Sequence, residues 1–403
     1  MPFADPAPLS RELTRRLPRR PFAVRFWDGT EVPATDEGGP TFTVRSPRAV
    51  GHALRAPGQL GLGRAYVSGD LEVDDIDKVI ALLATWKPPA IESAGKRALA
   101  LAAVRAAGLQ RPPAPPSAEL ILRGRRHSIG RDAAAVRHHY DLPAEFFALF
   151  LDASMTYSCA VWSEDPDETL EAAQERKLEL VCRKLALEPG MRVLDVGCGW
   201  GSFATHAATR HDVSVVGITL SPPQAERARK RVAEAGVSDR VEVRVADYRE
   251  LADEPFDAVA SIGMVEHVGA VNIDAYATTI RRMVRPGGRV LNHGIARLRH
   301  GEPEAGPFSE RYVFPDAAPL HLSRVQLAFE QAGLETETVE GFRTDYERTL
   351  GHWMARLDAG AERALELAGP ERLRVWRLYL RAAQSGFRTG FTSIYQLKMV
   401  RPV

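Results

Sequence analysis

The feature that most constrains the fold is a series of short apolar segments that alternate with helical patterns from about residue 191 onward. The apolar segments, each of strand length, lie at residues 192–196, 214–218, 241–246, 258–262 and 289–292. Helical patterns lie between them, such as 222–235, which has Pro222 in its first turn and Gly236 directly after its end. Alternation of this kind predicts a mainly parallel sheet with helices on both faces. The closing run 391–400 is predicted to be an edge strand.

The first part of the chain has a different pattern. Strand-like runs at residues 22–27 and 41–45 are bounded by turns rich in glycine and proline, and helical patterns follow them. The proline-rich run 110–117 predicts a stiff, extended linker. We therefore expect an N-terminal α+β domain over residues 1–110, a linker over 111–120 and a second domain over 121–403.

Composition argues against several classes of protein. The net charge of +1 over 403 residues gives no general attraction for nucleic acid, so we expect no nucleic-acid partner. The cysteines, Cys159, Cys182 and Cys198, lack the spacing of a zinc site and are expected to be reduced thiols with no metal bound. Residues 1–20 lack the apolar core of a secretory signal, and no apolar run is long enough to span a membrane. We therefore expect a cytoplasmic protein.

The strongest motif is the glycine-rich turn after the first strand of the series. Residues 193–201 read Val-Leu-Asp-Val-Gly-Cys-Gly-Trp-Gly, so a buried strand ends in a turn and a helix follows. Glycine lets the backbone approach a ligand closely, and the helix N-terminus favours an anionic group. The GxGxG spacing of Gly197, Gly199 and Gly201, with Asp195 two residues before it, is usual for binding S-adenosylmethionine (SAM), whereas GxGxxG is usual for dinucleotides. A plain strand–helix turn is the alternative interpretation.

Polar residues after the second and third strands complete the predicted cofactor site. Most folds of this kind place an acidic residue after the second strand, but here Thr219 and Gln224 offer only uncharged hydrogen-bonding groups. Thr219 and Ser221 could instead cap the following helix. After the third strand, Asp247 suits the adenine amino group as an acceptor, and Tyr248 could cover the adenine ring. The alternative for Asp247 is that it only caps a helix. The predicted cofactor set also includes Leu220 and Ile262.

Further stretches carry a resemblance to a known family. They are residues 138–142 together with 155–162, then 261–269, and then 345–353. With the glycine turn and the Thr-Leu-Ser-x-x-Gln pattern at 219–224, they resemble the cyclopropane-fatty-acyl-phospholipid synthases, a group that includes mycolic acid cyclopropane synthases and actinobacterial enzymes that build methyl-branched fatty acids. The resemblance extends from about residue 129 to the C-terminus and more weakly into the first domain. It favours Thr219 and Gln224 as cofactor contacts.

The resemblance implies an α/β fold and a reaction centre. The fold is a Rossmann-like class I SAM methyltransferase domain, with a mainly parallel seven-stranded sheet, after a smaller N-terminal α+β domain. In this family a bicarbonate ion beside the reacting methyl group acts as the base, and the matching ligands here are the side chains of Cys159, Glu266, His293 and Tyr346 and the backbone of Ile295. Tyr157 and Ser158 match positions that line the cofactor. Each residue alone also suits an ordinary structural role, such as a small buried hydrophobe for Cys159.

The implied reaction is methyl transfer from SAM to the cis double bond of an unsaturated phospholipid acyl chain, through a carbocation, to give a cyclopropane. One alternative is a 10-methylene branch, which a separate reductase would convert to a 10-methyl, tuberculostearate-type branch. Methylation of a soluble small molecule and a non-catalytic lipid- or SAM-binding role are further alternatives, and the intact reaction-centre residues disfavour the last. The family often dimerises, so a homodimer is a candidate assembly.

A lipid substrate implies peripheral contact with the inner face of the membrane. Two arginine clusters could bind anionic headgroups. They are Arg15, Arg16, Arg19 and Arg20 near the N-terminus, and Arg123, Arg125, Arg126 and Arg131 after the linker. The apolar segment 96–109, with its interspersed arginines, could lie in the interface. The alternative is an ordinary solvated basic face and a packed helix.

Overall fold

The computed structural model describes residues 4–109, 111–140, 142–298, 306–317 and 319–403. Two predicted motif positions, Gln110 in the linker run and Asp141 in the 138–142 motif, lie outside these residues. The chain divides into two compact units. The first consists of Met1–Leu120, Gly306–Val313 and Ala368–Ser385, and the second of Ile121–Ala305, Phe314–Leu367 and Gly386–Val403. The second unit is therefore not the single continuous run that we expected, because two later segments fold with the first unit.

The first unit contains a four-stranded sheet and several helices. The strands are β1 (Ala23–Arg25), β2 (Glu31–Val32), β3 (Thr41–Val44) and β4 (Leu71–Val73), in the order β2-β1-β3-β4. The helices of the N-terminal part are α1 (Ala7–Arg16), α2 (Pro47–Arg55), α3 (Gln59–Val67), α4 (Ile76–Thr85) and α5 (Ser93–Ala107). Buried apolar residues from the sheet and from α2, α3 and α5 form one core. The unit is α+β, as predicted.

The segment predicted to be a linker packs on the first unit and belongs to it. Arg55 Nη1 donates to the Pro113 carbonyl oxygen at 2.7 Å. Arg64 donates two hydrogen bonds to the carboxylate of Glu119, at 2.7 and 2.6 Å, and the Glu119 side chain is fully buried. Residues 111–120 are therefore held against the unit and are not a free spacer.

The second unit is built around a seven-stranded sheet. Its strands are β5 (Arg192–Val196), β6 (Ser214–Thr219), β7 (Val241–Val245), β8 (Phe256–Ile262), β9 (Val284–Arg297), β10 (Glu335–Gly341) and β11 (Thr392–Val400), in the order β10-β11-β9-β8-β5-β6-β7. The pairings from β7 to β9 are all parallel, and only β11 runs antiparallel to its neighbours. The mainly parallel sheet is therefore confirmed. The strand order reverses at β5, which has β6 on one side and β8 on the other, so a crevice opens at the carboxyl ends of these strands.

The helices that follow the N-terminal part of the chain are α6 to α16, and several of them cover the large sheet. They are α6 (Ile129–Tyr140), α7 (Ala144–Ala148), α8 (Leu170–Leu185), α9 (Ser202–His211), α10 (Pro222–Glu234), α11 (Val265–Val268), α12 (Ile273–Met283), α13 (Pro307–Tyr312), α14 (Leu322–Gln331), α15 (Arg343–Ala359) and α16 (Ala361–Thr389). The helix α13 and the middle of α16 belong to the first unit. Gly369, with a φ of +73°, interrupts α16, and Pro370 begins its second part.

Two apolar cores lie on the two faces of the large sheet. Val193 and Leu194, successive residues of β5, are both fully buried but belong to different cores, because successive side chains of a strand point to opposite faces. Helices α12 and α14 complete one core, and α8, α9 and α10 complete the other. The central strands are thus fixed on both sides, which fixes the position of the turn after β5.

One expectation about the sheet was wrong. The run predicted at 391–400 contains β11 (Thr392–Val400), but β11 lies between β9 and β10 and is not an edge strand. The edge strand β10 was not predicted because its sequence, Glu-Thr-Glu-Thr-Val-Glu-Gly, is acidic and mostly exposed. It lacks the apolar signal of a buried strand. Charged side chains are common on edge strands because they oppose pairing with other chains.

Candidate active site

A pocket lies at the carboxyl end of β5, where the strand order reverses. Gly197 and Gly199 form its turn with φ values of +83° and +53°, in the left-handed region that favours glycine. Most of the predicted cofactor residues line this pocket: Tyr157, Ser158, Asp195, Gly197, Gly199, Thr219, Leu220, Gln224, Tyr248 and Ile262. Residues far apart in the chain therefore meet where a doubly wound sheet binds its ligands.

Two residues of the predicted cofactor set do not line this pocket. Gly201 has a φ of +81°, and a Cβ atom there would lie 2.9 Å from the Cβ of Ala228, so this glycine allows α9 and α10 to pack closely. Asp247 lines a neighbouring pocket, and both of its carboxylate oxygens accept hydrogen bonds from the Arg249 guanidinium, at 2.8 and 2.6 Å. It also caps the short 3-10 helix that follows. Its contact with adenine stays a prediction.

The polar residues after β6 divide between capping and lining the pocket. Ser221 caps α10, because its hydroxyl accepts from the backbone N–H of Gln224. Thr219 Oγ1 accepts from the Ser221 N–H and donates to Gln224 Oε1 at 2.7 Å. Gln224 Oε1 is used as an acceptor, and its side chain also hydrogen-bonds the Tyr140 hydroxyl, so only the second proton of its amide nitrogen can be donated to a ligand. These uncharged groups stand where an acidic residue would normally lie.

Two buried charged groups lie at the pocket, and only one was predicted. Burial raises the pKa of Asp195 to about 7, and its Oδ2 has no hydrogen-bond partner among the described residues. Lys177, which the sequence reasoning missed, donates to Ser158 Oγ at 2.8 Å, and burial lowers its pKa to about 8. The signal for Lys177 was its position in α8, where it shares a buried face with Gln174 and Val181. Asp195 can accept a hydrogen bond from a cofactor amine or hydroxyl.

Aromatic rings surround one side of the pocket. Tyr157 stacks on His139 and on Trp353, with ring centroids 5.6 and 5.2 Å apart. Trp353 also meets the ring of Tyr346 edge-on at 6.0 Å. Tyr140 meets Trp200 edge-on at 6.1 Å, and both of these residues line the pocket. Such faces stabilise positive charge without providing a nucleophile.

Glu266 and Ile295, two residues of the predicted reaction centre, are in direct contact. The backbone N–H of Ile295 in β9 donates to Glu266 Oε1 at 2.6 Å. The second carboxyl oxygen, Oε2, is buried and has no hydrogen-bond partner among the described residues. Burial raises the pKa of Glu266 to about 7. This carboxyl group can therefore hold or release a proton near neutral pH.

The remaining three reaction-centre residues converge on Phe342, which the sequence reasoning did not identify. The Cys159 Sγ atom lies 3.7 Å from the Phe342 carbonyl oxygen and 3.1 Å from that of Ala160. The ring of His293 stacks on the Phe342 ring at 6.1 Å, and the Tyr346 N–H donates to the Phe342 carbonyl oxygen at 3.0 Å. Burial raises the pKa of Cys159 well above its ordinary value, so it stays a thiol. Burial lowers the pKa of His293, so its imidazole is neutral.

A cysteine–histidine cluster lies elsewhere in the second unit, although sequence spacing gave no sign of it. Atoms of Cys182, His206 and His211 that could ligate a metal lie within 4.8 Å of one another. Glu179 Oε2 already lies 3.4 and 3.0 Å from the Nε2 atoms of the two histidines. Hydrogen bonds to this carboxylate therefore account for how the histidines are placed.

Some arginines of the two clusters form ion pairs or hydrogen bonds within the protein. Arg16 pairs with Glu12, and Arg20 is buried and donates to the carbonyl oxygens of Leu17 and Pro33. In the second cluster, Arg126 and Arg131 both bond to Asp316. The arginines of the two clusters that stay exposed are Arg15, Arg19, Arg123, Arg125 and Arg126.

The fold and the pocket together define a class of protein. A glycine-rich turn at the switch point of a seven-stranded sheet, beside uncharged polar groups and an aromatic wall, is the cofactor site of a SAM-dependent methyltransferase with the Rossmann-like class I fold. The family model for mycolic acid cyclopropane synthetase matches residues 127–397. The chain belongs to this family.

Individual relatives agree with this assignment. The chain is 37% identical over 388 residues to a probable fatty acid methyltransferase of Pseudomonas putida, covering 95% of this chain and 92% of the relative. It is 33% identical over 347 residues to the cyclopropane-fatty-acyl-phospholipid synthase of Escherichia coli strain K12, covering 86% and 84%. It is 30% identical over 413 residues to the tuberculostearic acid methyltransferase UfaA1 of Mycobacterium tuberculosis, covering 99% and 92%.

A solved structure supports the fold and the cofactor. The mycolic acid cyclopropane synthase CmaA1, complexed with SAH and CTAB, aligns with a TM-score of 0.63 and 35% identity, covering 66% of this chain and 98% of that one. SAH is what SAM becomes when it loses its methyl group. The similarity thus extends to a protein with the spent cofactor bound.

Proposed function

We propose that this enzyme transfers the methyl group of SAM to the cis double bond of an unsaturated phospholipid acyl chain, with a bound bicarbonate as base, to give a cyclopropane. Similarity to the Escherichia coli synthase supports a phospholipid substrate. The observation that carries the proposal is the pair of buried polar atoms, Glu266 Oε2 and His293 Nε2, that have no hydrogen-bond partner among the described residues. Buried polar groups are costly to leave unpaired, so such atoms suit a ligand.

The residues present fit bicarbonate. Its oxygens accept hydrogen bonds and its hydroxyl donates one, so it suits a carboxylate acceptor at Glu266 and an imidazole donor at His293. When bound, bicarbonate would supply a weak base close to the reacting carbon. The pKa of Glu266, about 7, lets Glu266 share a proton with such an anion instead of repelling it. Cys159, Tyr346 and the Ile295 backbone complete the proposed ligand set.

The chemistry explains why the site is dry and aromatic. An alkene is a weak nucleophile, so it must be held close to and in line with the sulfonium methyl group. Its π electrons form the new C–C bond as the C–S bond breaks, which leaves a carbocation on the neighbouring carbon. Loss of a proton from the added methyl group then closes the ring with the C–H electrons. Water would trap the cation, and the half-buried ring of Tyr157 stacked on the buried ring of Trp353 limits access to water on this side.

A branched product is the second candidate. In the same cation, a hydride can shift from the methyl-bearing carbon to its neighbour, which moves the positive charge to the methyl-bearing carbon. Loss of a proton from the added methyl group then gives a 10-methylene chain. The match to the tuberculostearic acid methyltransferase, over 99% of this chain, favours this outcome. A 10-methyl chain would then need a separate reductase as partner. A soluble small-molecule substrate is less favoured, because the relatives reported above are named for fatty acids or fatty acyl phospholipids.

Access to the lipid would be peripheral. No helix within the described ranges is long and apolar enough to cross a membrane. In α5, Ala102 and Ala106 pack inward, whereas Leu101 and Val104 expose 56% and 54% of their surface. These apolar side chains and the exposed arginines of the same unit, Arg15 and Arg19, suit a membrane surface on the cytoplasmic side. Co-sedimentation with anionic vesicles at low and high salt tests this docking. A vesicle-bound fraction that depends on neither salt concentration nor lipid charge would contradict it.

Mass spectrometry tests the proposed reaction. Vesicles of a phospholipid with a cis-monounsaturated acyl chain are incubated with the protein and SAM, and saturated vesicles are the control. A gain of one methylene unit in the unsaturated chain alone is expected, and resistance to hydrogenation would identify a ring. Depletion of bicarbonate should slow the reaction, and its return should restore the rate. No gain by a protein that binds SAM would contradict a phospholipid substrate.

A further inference from the structure

A row of side chains crosses three strands behind the reaction centre. His293 in β9 lies directly opposite Gln396 in β11, and Gln396 lies opposite Glu340 in β10. Lys184 reaches this row from α8, where its Nζ lies 2.6 Å from Gln396 Oε1 and 3.0 Å from Glu340 Oε1. His293 and Gln396 are fully buried. The four side chains therefore form a connected hydrogen-bonded series within the second unit.

The orientation of the Gln396 amide follows from the chemistry of Lys184. An ammonium group has three donors and no acceptor, so the amide atom that faces it must be the carbonyl oxygen. The amide nitrogen of Gln396 then faces His293 Nδ1, at 2.9 Å. Since an amide nitrogen can only donate, Nδ1 must accept the hydrogen bond and carries a lone pair.

This contact determines which nitrogen of His293 carries the proton. A neutral imidazole with an unprotonated Nδ1 has its proton on Nε2. A protonated His293 would point its Nδ1–H at the amide N–H of Gln396, so this contact disfavours the imidazolium form. Burial, Lys177 and Lys184 also lower the pKa of His293, which favours the neutral form as well. The Nε2–H group is buried and has no partner among the described residues.

We propose that Lys184 and Gln396 are positioning residues that hold His293 in its neutral, Nε2-protonated tautomer, so that His293 presents a hydrogen-bond donor to an anion at the reaction centre. That the anion is bicarbonate rests on the proposed function, whereas the tautomer is a property of the protein alone. The opposite tautomer would direct a lone pair at the anion and repel it. A neutral donor also leaves the anion more basic than an imidazolium would, which suits an anion that must accept a proton.

Nitrogen-15 NMR of protein with labelled histidine tests the tautomer without any turnover. Protonated and unprotonated imidazole nitrogens have well-separated shifts, and a spectrum of His293→Asn identifies the His293 signals among those of the 11 histidines. We expect a protonated Nε2 and an unprotonated Nδ1. Signals that show the reverse in the wild-type protein would overturn the proposal.

The variant Q396E provides the decisive perturbation. A carboxylate of the same shape can still pair with Lys184, but it accepts a hydrogen bond where the amide donated, so at alkaline pH the proton is expected to move to Nδ1. We then expect kcat to fall about 10- to 100-fold, the loss of one hydrogen bond to a charged group, while the SAM dissociation constant stays within about twofold. A reversed tautomer with wild-type kcat would remove the tautomer from the mechanism.

A pair of lysine variants keeps the proposal testable if Q396E does not fold. K184R retains a donor-only cation and should keep both the tautomer and kcat, whereas K184M frees the amide to rotate and should give mixed His293 signals with a reduced kcat. Lys398 is a matched control, because it lies in β11 and pairs with Glu337 in β10 at 2.7 Å. K398M should therefore change neither the His293 tautomer nor kcat. Equal effects of K184M and K398M would indicate a purely structural role. If the wild-type protein shows the expected tautomer but methylates no lipid, the proposed function fails and the positioning inference stands.

Discussion

Replacing Glu266 by glutamine should produce opposite changes in stability and turnover. Burial raises the pKa of this carboxyl group from its ordinary value of 4.5 to about 7, so the folded protein disfavours the charged form. An acid with a raised pKa in the folded state costs no stability below its unfolded pKa, and the cost grows as pH rises toward the folded value. Each tenfold change in an ionisation constant is worth about 1.4 kcal/mol, so the cost is at most about 3 kcal/mol above neutral pH.

E266Q removes this cost because an amide is never charged. Its carbonyl oxygen can still accept from the Ile295 N–H, which keeps the local contact. Thermal unfolding should therefore show E266Q more stable than wild type by roughly 3 kcal/mol at about pH 8 and by less than about 1 kcal/mol at about pH 5. E242Q is the control, since Glu242 is exposed and its hydrogen bond from Arg244 lowers its pKa, so this variant should gain no stability at alkaline pH.

Turnover of E266Q should fall while SAM still binds. In E266Q the glutamine amide nitrogen takes the place of Oε2, and it cannot accept a hydrogen bond. The loss of one hydrogen bond to a charged group corresponds to a rate lower by roughly 10- to 100-fold. Calorimetry with SAM should give a dissociation constant close to that of wild type, because Glu266 does not line the cofactor pocket. Normal turnover, or the same stability difference at both pH values, would refute the reasoning.

Three further predictions concern packing and the cofactor. R64M leaves the buried carboxylate of Glu119 without its cationic partner, with the Tyr312 hydroxyl still bonded to it, and should destabilise the protein by about 3 kcal/mol in urea unfolding. E119L on that background should recover part of the loss. G201A combines left-handed backbone strain with a 2.9 Å contact and should lower the free energy of unfolding by about 2–3 kcal/mol. G236A has the strain without the contact and should lower it by less, and equal losses would contradict the packing role of Gly201. T219V removes a hydroxyl at the pocket and should weaken SAM binding about fivefold by calorimetry, or about 1 kcal/mol, and unchanged affinity would place Thr219 outside the cofactor site.

Much of the large sheet was predictable because its central strands are mostly apolar. The strands β5, β6 and β8 are largely buried on both faces, so their sequences carry the signal of a parallel sheet without help from other parts of the chain. The glycine turn was equally clear, because a left-handed backbone at Gly197 and Gly199 restricts the residue type. Strand β10 was missed because an exposed edge carries no apolar pattern.

The site was predictable in part and for a different reason. The cofactor residues and the reaction-centre residues were named from motifs, and the structure places most of the first group in one pocket and the second group around β9 and Phe342. Lys177 and Gln396 were not named because they follow an ordinary helix and strand pattern, and Phe342 was not named because it lies in the connection between β10 and α15. The assignment of Asp247 to adenine stays a prediction, and the structure adds that both of its carboxylate oxygens accept from Arg249, a contact between residues two apart that the sequence does not specify.

The sequence by itself determined the fold class, the glycine turn and the family, because these depend on local backbone requirements and on apolar periodicity. Only the tertiary structure decided which groups are left without partners, since that depends on every neighbour of an atom and not on its own segment. Glu266 Oε2, which has no hydrogen-bond partner within the described ranges, and the orientation of Gln396 between Lys184 and His293 are both of this kind. Burial acts in the same way, because the pKa of about 7 at Glu266 arises from the exclusion of water by the whole second unit.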